Sequence, residues 1–448
     1  MNTPICDFVR DYAARRPVRM HMPGHKGNAG IGPEALDLTE IDGADELYRS
    51  RGIIRESEIN AASLFGAART VYSAEGSSLC IRAMLYLALL TAGEKGIPGR
   101  LLAGRNAHRT LMSAAALLDL EIDWLMPAEG ESLLSCTVTA EDLEQKLKNR
   151  AYMAVYLTSP DYLGSRPDLQ AAAEICRRYG VPLLVDNAHG AYLKFLEPDG
   201  HPVSLGAAAC CDSAHKTLSC LTGAAYLHLG ASAPDSWSER AEQAMAMFAS
   251  TSPSWLILQS LDRMNRELAG TWPDRLKAAA ARMEGIKKAL RVEGWKLIGS
   301  EPMKLTLNAA AYGYTGFELR EILSRKNVVC EYADRDYLVL MASAETTETD
   351  WRCLEQALSG LPGRAPLAGE LPALPVPERV LSIREAMLLP QETLPVGKTM
   401  GRIFADAAVS CPPAVPVVVA GERITKEAAS WMEYCGISEC QAVRERDL

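Results

Sequence analysis

The chain has 448 residues, enough for two or three domains and a large buried core. Its 48% hydrophobic and 23% charged residues are the ordinary balance of a soluble globular protein. A net charge of −9 argues against nucleic acid or an anionic membrane as the main partner. The twelve cysteines include no C-x-x-C pair, so a zinc ribbon or thioredoxin-type motif has no support and no metal is expected. The polar start Met1-Asn2-Thr3-Pro4 reads as no secretory signal, and apolar runs such as Val415–Ala420 are far too short to span a bilayer. The expectation is a cytoplasmic protein with buried, reduced thiols.

Residues 1–55 are rich in Pro, Gly and His and lack helical periodicity, which predicts an N-terminal arm and loop. Residues 56–270 predict a large α/β domain. A helix is expected over Glu56–Leu64, a strand over Arg69–Ser73 and a helix from Ser77 to Leu90. Short apolar strands follow at Leu101–Ala103, Ile122–Met126, Met153–Leu157, Pro182–Val185, Ala207–Cys211 and Ala224–Leu229. Helices at Arg109–Leu118, Ala140–Leu147 and Leu169–Tyr179 separate several of them. Such alternation implies a mostly parallel sheet flanked by helices, with the ligand site at the carboxyl ends of the strands.

Helices are then expected over Ser236–Phe248, Trp255–Leu268 and Asp274–Val292. Residues 271–360 predict a small α/β domain, with strands Lys304–Leu307, Val328–Glu331 and Leu338–Met341 and helices Gly316–Arg325 and Thr347–Leu358. Residues 361–377 form a proline-rich linker, and 378–448 a C-terminal domain.

Chemistry concentrates at strand ends. Asp186 closes the run Val181–Val185, and Lys216 follows the run Ala207–Cys211 inside Ser213-Ala214-His215-Lys216-Thr217. A lysine amine and an aspartate so placed are the pair that pyridoxal 5′-phosphate (PLP) needs: the amine forms a Schiff base, the carboxylate keeps the pyridine nitrogen protonated. Small and apolar neighbours would lower the amine's pKa by desolvation. The plain alternatives are a solvated surface lysine and a helix-capping aspartate. His189 could orient Asp186. Ser77 and Ser78, after Gly76, begin an apolar helix and could cradle a phosphate or serve only as its cap. No Walker lysine is present, so this is not a nucleotide P-loop. His108, where strand gives way to helix, is either a cap or an imidazole stacked on the cofactor ring.

Together these residues resemble the Orn/Lys/Arg decarboxylase family of fold-type I PLP enzymes. The resemblance runs from Pro23-Gly24-His25-Lys26 through Leu64–Ala67, Asn106–His108, Asp186–Gly190, Ser213–Leu218 and Ser252-Pro253-Ser254 to Pro412-Pro413 and Gly421-Glu422. It implies an aspartate-aminotransferase-like fold with a small α/β domain and a C-terminal domain. It also implies PLP on Lys216, with Asp186 at the pyridine nitrogen, His108 on the ring and His189 near it. Ser77, Ser78, Ser213 and His215 would hold the phosphate, with Gly76 opening the cradle. Thr251 or Ser252 would reach the phosphate of a neighbouring subunit, so a homodimer or higher oligomer with shared sites is expected. Glu422, Asp42 and Asp45 are candidates for the substrate's distal cation.

The chain departs from the family pattern in three places. Glu75-Gly76 stands where Asn-Gly is usual, which sets a carboxylate beside the phosphate hydroxyls. Asn187 stands where Glu is usual. Ala414 and Ala420 replace a glycine and a proline near Glu422. The resemblance is to the short form of the family, without a receiver-like N-terminal domain. The expected reaction is α-decarboxylation of arginine, lysine or ornithine. An aminotransferase or side-chain lyase on the same fold, or a non-catalytic PLP-binding relative, is the alternative, because fold alone does not decide reaction.

Overall fold

The computed structural model describes residues 1–448 except 29, 129, 368, 370, 377, 407–413 and 448. Pro412-Pro413 therefore lies outside the described residues. The chain divides into two compact units: residues 1–97, 153–155 and 169–277, and residues 98–152, 156–168 and 278–448.

In chain order the elements begin with α1 (Pro4–Ala14), α2 (Ile53–Phe65), β1 (Arg69–Ser73), α3 (Ser77–Glu94), β2 (Arg100–Gly104), α4 (Arg109–Leu118) and β3 (Glu121–Leu125). They continue with α5 (Ala140–Asn149), β4 (Ala154–Thr158), α6 (Leu169–Arg178), β5 (Leu183–Asp186), β6 (Ala209–Asp212), α7 (Ala214–Thr217) and β7 (Ala225–Leu229). Next come α8 (Asp235–Ala246), α9 (Trp255–Leu268), α10 (Trp272–Val292), β8 (Leu297–Ile298), β9 (Lys304–Asn308), α11 (Gly316–Arg325), β10 (Tyr332–Ala333), β11 (Tyr337–Met341) and α12 (Glu348–Leu358). The last are α13 (Ile383–Leu388), β12 (Gln391–Pro395), α14 (Lys426–Tyr434) and β13 (Glu439–Val443).

Within the first unit the strand order is β1-β7-β6-β5. β1 and β6 each pair with β7 antiparallel, and β5 pairs with β6 parallel. Every residue of β5 and β6 is buried, including their terminal aspartates. Helix α3 is apolar on nearly all sides, as a helix inside a large core must be. In the second unit β2 pairs parallel with β3, and β10-β11-β9-β8 form an antiparallel sheet. Reciprocal caps start three of its helices: Thr315 with Glu318 on α11, Thr347 with Asp350 on α12, and Ser382 with Glu385 on α13. A C-terminal core gathers Val396, Phe404, Val418, Ile424, Trp431 and Met432.

Two expectations change. The N-terminal arm contains a helix, α1, whose Ile5, Val9 and Tyr12 are buried at i, i+4 and i+7 spacing. The Pro and Gly content of residues 17–33 masked that periodicity. Val328–Glu331 is not a strand. The chain leaves α11 through Asn327 in the left-handed conformation (φ 59), and regular pairing begins at Tyr332, after one hydrogen bond from the Glu331 N–H to the Val339 carbonyl at 2.9 Å.

Candidate active site

Most of the residues singled out by the sequence lie in the first unit. The parallel register of β5 and β6 sets Asp186 opposite Cys211. Asp186 Oδ1 accepts the Ala188 N–H at 3.2 Å and the Cys211 thiol at 3.6 Å. Burial raises the Cys211 pKa far above the thiol range, so this neighbour is a neutral S–H donor. β6 leads through Ser213 into α7, and Lys216 Nζ lies 3.1 Å from His189 Nε2. His189 follows Asp186 by three residues, so the end of β5 furnishes both the carboxylate and the imidazole.

The start of α3 completes the arrangement. Gly76 precedes it at φ 74 and donates its N–H to the Gly223 carbonyl at 2.7 Å. No side chain caps the helix there, and a Cβ on Gly76 would meet nothing within 4 Å, so the first turn opens onto space. Ser213 Oγ donates to Ser77 Oγ at 2.8 Å. Thr217 Oγ1 is buried without a hydrogen-bond partner. His215 donates from Nδ1 to the Ala224 carbonyl at 2.9 Å, and burial holds its pKa below the usual imidazole value. It is therefore neutral at pH 7, with Nε2 as its remaining nitrogen.

These residues fit PLP. A primary amine beside an imidazole suits the aldehyde, and a buried carboxylate suits the pyridine nitrogen. The start of an 18-residue helix, with the Ser77 and Ser213 hydroxyls paired beside it, suits the phosphate. The unusual Glu75 does not disturb this arrangement: its Oε1 accepts the Ser250 N–H at 2.8 Å. That contact brings the exposed Thr251 and Ser252 segment alongside the helix start of its own chain.

Of the carboxylates expected to bind substrate, Asp45 and Glu422 have partners within the chain. Asp45 is buried, and its two oxygens accept the backbone N–H groups of Glu46, Arg51, Gly52, Ile54 and Arg55. Two of those belong to the first turn of α2, so Asp45 is a remote cap for that helix. Asp42 is exposed.

In the second unit, Glu422 is 5% exposed; its Oε2 accepts the Val419 N–H at 2.8 Å and lies 3.5 Å from Arg105 Nη2. Arg105, itself buried, donates to the Pro416 and Val417 carbonyls and stacks over Trp124. Glu422 was expected to bind the substrate cation; here one of its carboxylate oxygens faces a buried guanidinium. Arg105 and Glu422 lie 317 residues apart, so no local pattern pairs them. His108 is the N-cap of α4, its Nδ1 accepting the Thr110 N–H at 3.2 Å. That is the capping role, and it leaves the ring fixed in orientation.

Comparison with known proteins agrees with this architecture. The model of the Orn/Lys/Arg decarboxylase major domain matches residues 3–298, and that of the family's C-terminal domain matches residues 380–443. An arginine decarboxylase of Bacillus subtilis is 27% identical, over 96% of this chain and 93% of that protein. One from Halalkalibacterium halodurans is 28% identical, over 96% and 92%. The constitutive lysine decarboxylase of E. coli superposes with a TM-score of 0.77 at 18% identity, covering 99% of this chain and 82% of that one. The fold is thus that of the fold-type I α/β enzymes, a mostly parallel sheet flanked by helices. The chain belongs to the Orn/Lys/Arg decarboxylase family, and it is an enzyme of the decarboxylase class.

Glu422→Gln separates the two roles for that residue. Leaving Arg105 buried without its anion is expected to cost about 3 kcal/mol of stability, read by denaturant unfolding, with KM unchanged. A raised KM at unchanged stability would return Glu422 to the substrate.

Proposed function

We propose that the protein removes the α-carboxylate of a basic L-amino acid with PLP as cofactor, and that arginine is the first substrate to test. The observation that carries this reading is the Lys216–His189 contact at 3.1 Å beside the Asp186 strand end. The full-length likeness to arginine decarboxylases supports the choice of arginine.

Each residue has a task that follows from its surroundings. His189 Nε2 lies within hydrogen-bond reach of Lys216 Nζ and fixes the direction in which the amine points. Asp186, held by neutral donors on Oδ1, keeps a proton at the pyridine nitrogen. Ser77, Ser78 and Ser213 offer hydroxyl and backbone N–H groups to the phosphate at the helix start, and His215, tied through Nδ1 to the Ala224 carbonyl, lines the same loop. When bound, PLP supplies the electron sink for the pair that the departing carboxylate leaves on Cα. The assignments of His108, Thr251 and Ser252 rest on the family resemblance alone.

A second copy of the chain is part of the reading. Val18, Met20, Met22 and Ile31 are 86%, 89%, 60% and 92% exposed within one short stretch, an apolar strip suited to burial against another subunit. The eleven described cysteines are free thiols, which supports a reducing, cytoplasmic setting. No described helix is long and apolar enough to cross a membrane.

Release of labelled CO2 from carboxyl-labelled arginine, lysine and ornithine tests the reaction. Arginine is expected to give the highest kcat/KM, and Lys216→Ala to abolish release. Amine transfer to a keto acid without CO2 would overturn the proposal. Sedimentation at micromolar concentration is expected to give a dimer or larger, and Met20→Asp with Ile31→Asp to weaken it; a monomer for the unaltered chain would refute the shared-subunit reading.

A further inference from the structure

The ends of β5 and β6 are joined by two adjacent side-chain pairs. One is Asp186 with Cys211, already described. The other is Asn187 with Asp212: Asn187 Nδ2 donates to Asp212 Oδ1 at 2.6 Å, and the Asn187 N–H donates to the Cys211 carbonyl at 3.0 Å. Asn187 and Asp212 are both fully buried.

Asp212 Oδ2 has two further neighbours. His201 Nε2 lies at 2.9 Å and His228 Nε2 at 3.4 Å, both rings fully buried. His201 Nδ1 accepts the Val203 N–H at 3.4 Å, which puts the His201 proton on Nε2, facing the carboxylate. His228 Nδ1 lies 2.8 Å from Thr70 Oγ1, so β1, β7, β6 and β5 are all tied to one carboxylate. Burial lowers the His228 pKa, which keeps that ring neutral. Burial by itself would raise the Asp212 pKa. The contacts from His201 and His228 outweigh it and hold the carboxyl below its usual range.

Asp212 is thus a buried anion hydrogen-bonded by an amide and an imidazole, with a second imidazole 3.4 Å away. His201, Cys210 and Asp212 also bring metal-ligating atoms within 4.8 Å of one another. Both carboxylate oxygens already accept hydrogen bonds, so the geometry is that of an anion clamp rather than a cation cage. A buried charge of this kind is costly, and it persists only where its hydrogen bonds fix something. Here it fixes the two strand ends that carry the cofactor residues: Asn187 adjoins Asp186, and Asp212 lies four residues before Lys216.

We propose that Asp212 is a positioning residue for the cofactor, locking the Asp186 end of β5, through Asn187, to the β6 end that leads to Lys216. The proposal rests on the PLP reading above. It also accounts for Asn187 at a position where the family usually has Glu. A carboxylate at 187 would stand within hydrogen-bond distance of the Asp212 carboxylate, and two buried like charges repel strongly. An amide presents a donor instead. The pair therefore has a polarity: donor on β5, anion on β6.

The test is a double-mutant cycle read by PLP binding rather than by turnover. The full-length protein and its Asn187→Glu, Asp212→Asn and doubly substituted forms are titrated with PLP. The apparent Kd and the pH titration of the visible absorbance are recorded for each. Each single substitution is expected to weaken binding at least tenfold and to move that absorbance titration, whereas the double substitution, which reverses the polarity of the pair, recovers most of the loss. Single variants within twofold of the unaltered protein, or losses that simply multiply in the double variant, would overturn the proposal. Where a charge-altered chain does not fold, Asn187→Ala removes only the amide. It must show the same weakening and the same spectral change, and binding within twofold of the unaltered protein refutes the clamp. An unaltered protein that gains no visible absorbance with PLP fails the cofactor reading itself, which separates the two outcomes.

Discussion

The parallel pairing of β5 with β6 is the constraint on which the site depends. Asp186 and the segment bearing Lys216 are 30 residues apart in sequence, and a single register brings them together. Parallel strands buried on both faces are the stiffest part of such a fold, and their carboxyl ends are where chain direction and helix starts converge. The amine, the imidazole, the carboxylate and the hydroxyl-bearing helix start all emerge within that convergence. Their placement is a property of the sheet, and the loops inherit it.

Electrostatics refines what the sheet positions. Two buried charges are compensated in different ways. Arg105 is met by Glu422 and by two backbone carbonyls, so it is both paired and hydrogen-bonded. Asp212 is met by the Asn187 amide and the His201 imidazole, in a setting where low dielectric strengthens each hydrogen bond. Cys211 reaches Asp186 in the same manner, as a thiol that burial keeps protonated. In each case the burial that makes the charge costly also makes its partners specific.

The strand-end cluster proposed to hold the cofactor was legible because strand ends leave a local signature. An apolar run that stops at Asp186, and another that leads to Ser-Ala-His-Lys-Thr, both announce polar groups at a sheet edge. The carboxylates were not legible, because an acidic residue in a loop gives no local sign of its partner. Asp45 turns back onto the α2 start within its own segment, and Glu422 meets an arginine that precedes it by 317 residues. Helix α1 was hidden by the composition of the loop that follows it, although its own buried positions keep helical spacing. Asp212 carries no local sign of its role either, because the histidines that meet it stand 11 and 16 residues away.

The most direct measurement is chemical trapping of the amine. The purified protein is incubated with PLP, reduced with borohydride, digested and mapped by mass spectrometry. The account predicts one phosphopyridoxyl group per chain, on the peptide containing Lys216, with loss of the visible absorbance on reduction. Label scattered over surface lysines, or absent from Lys216, would contradict it.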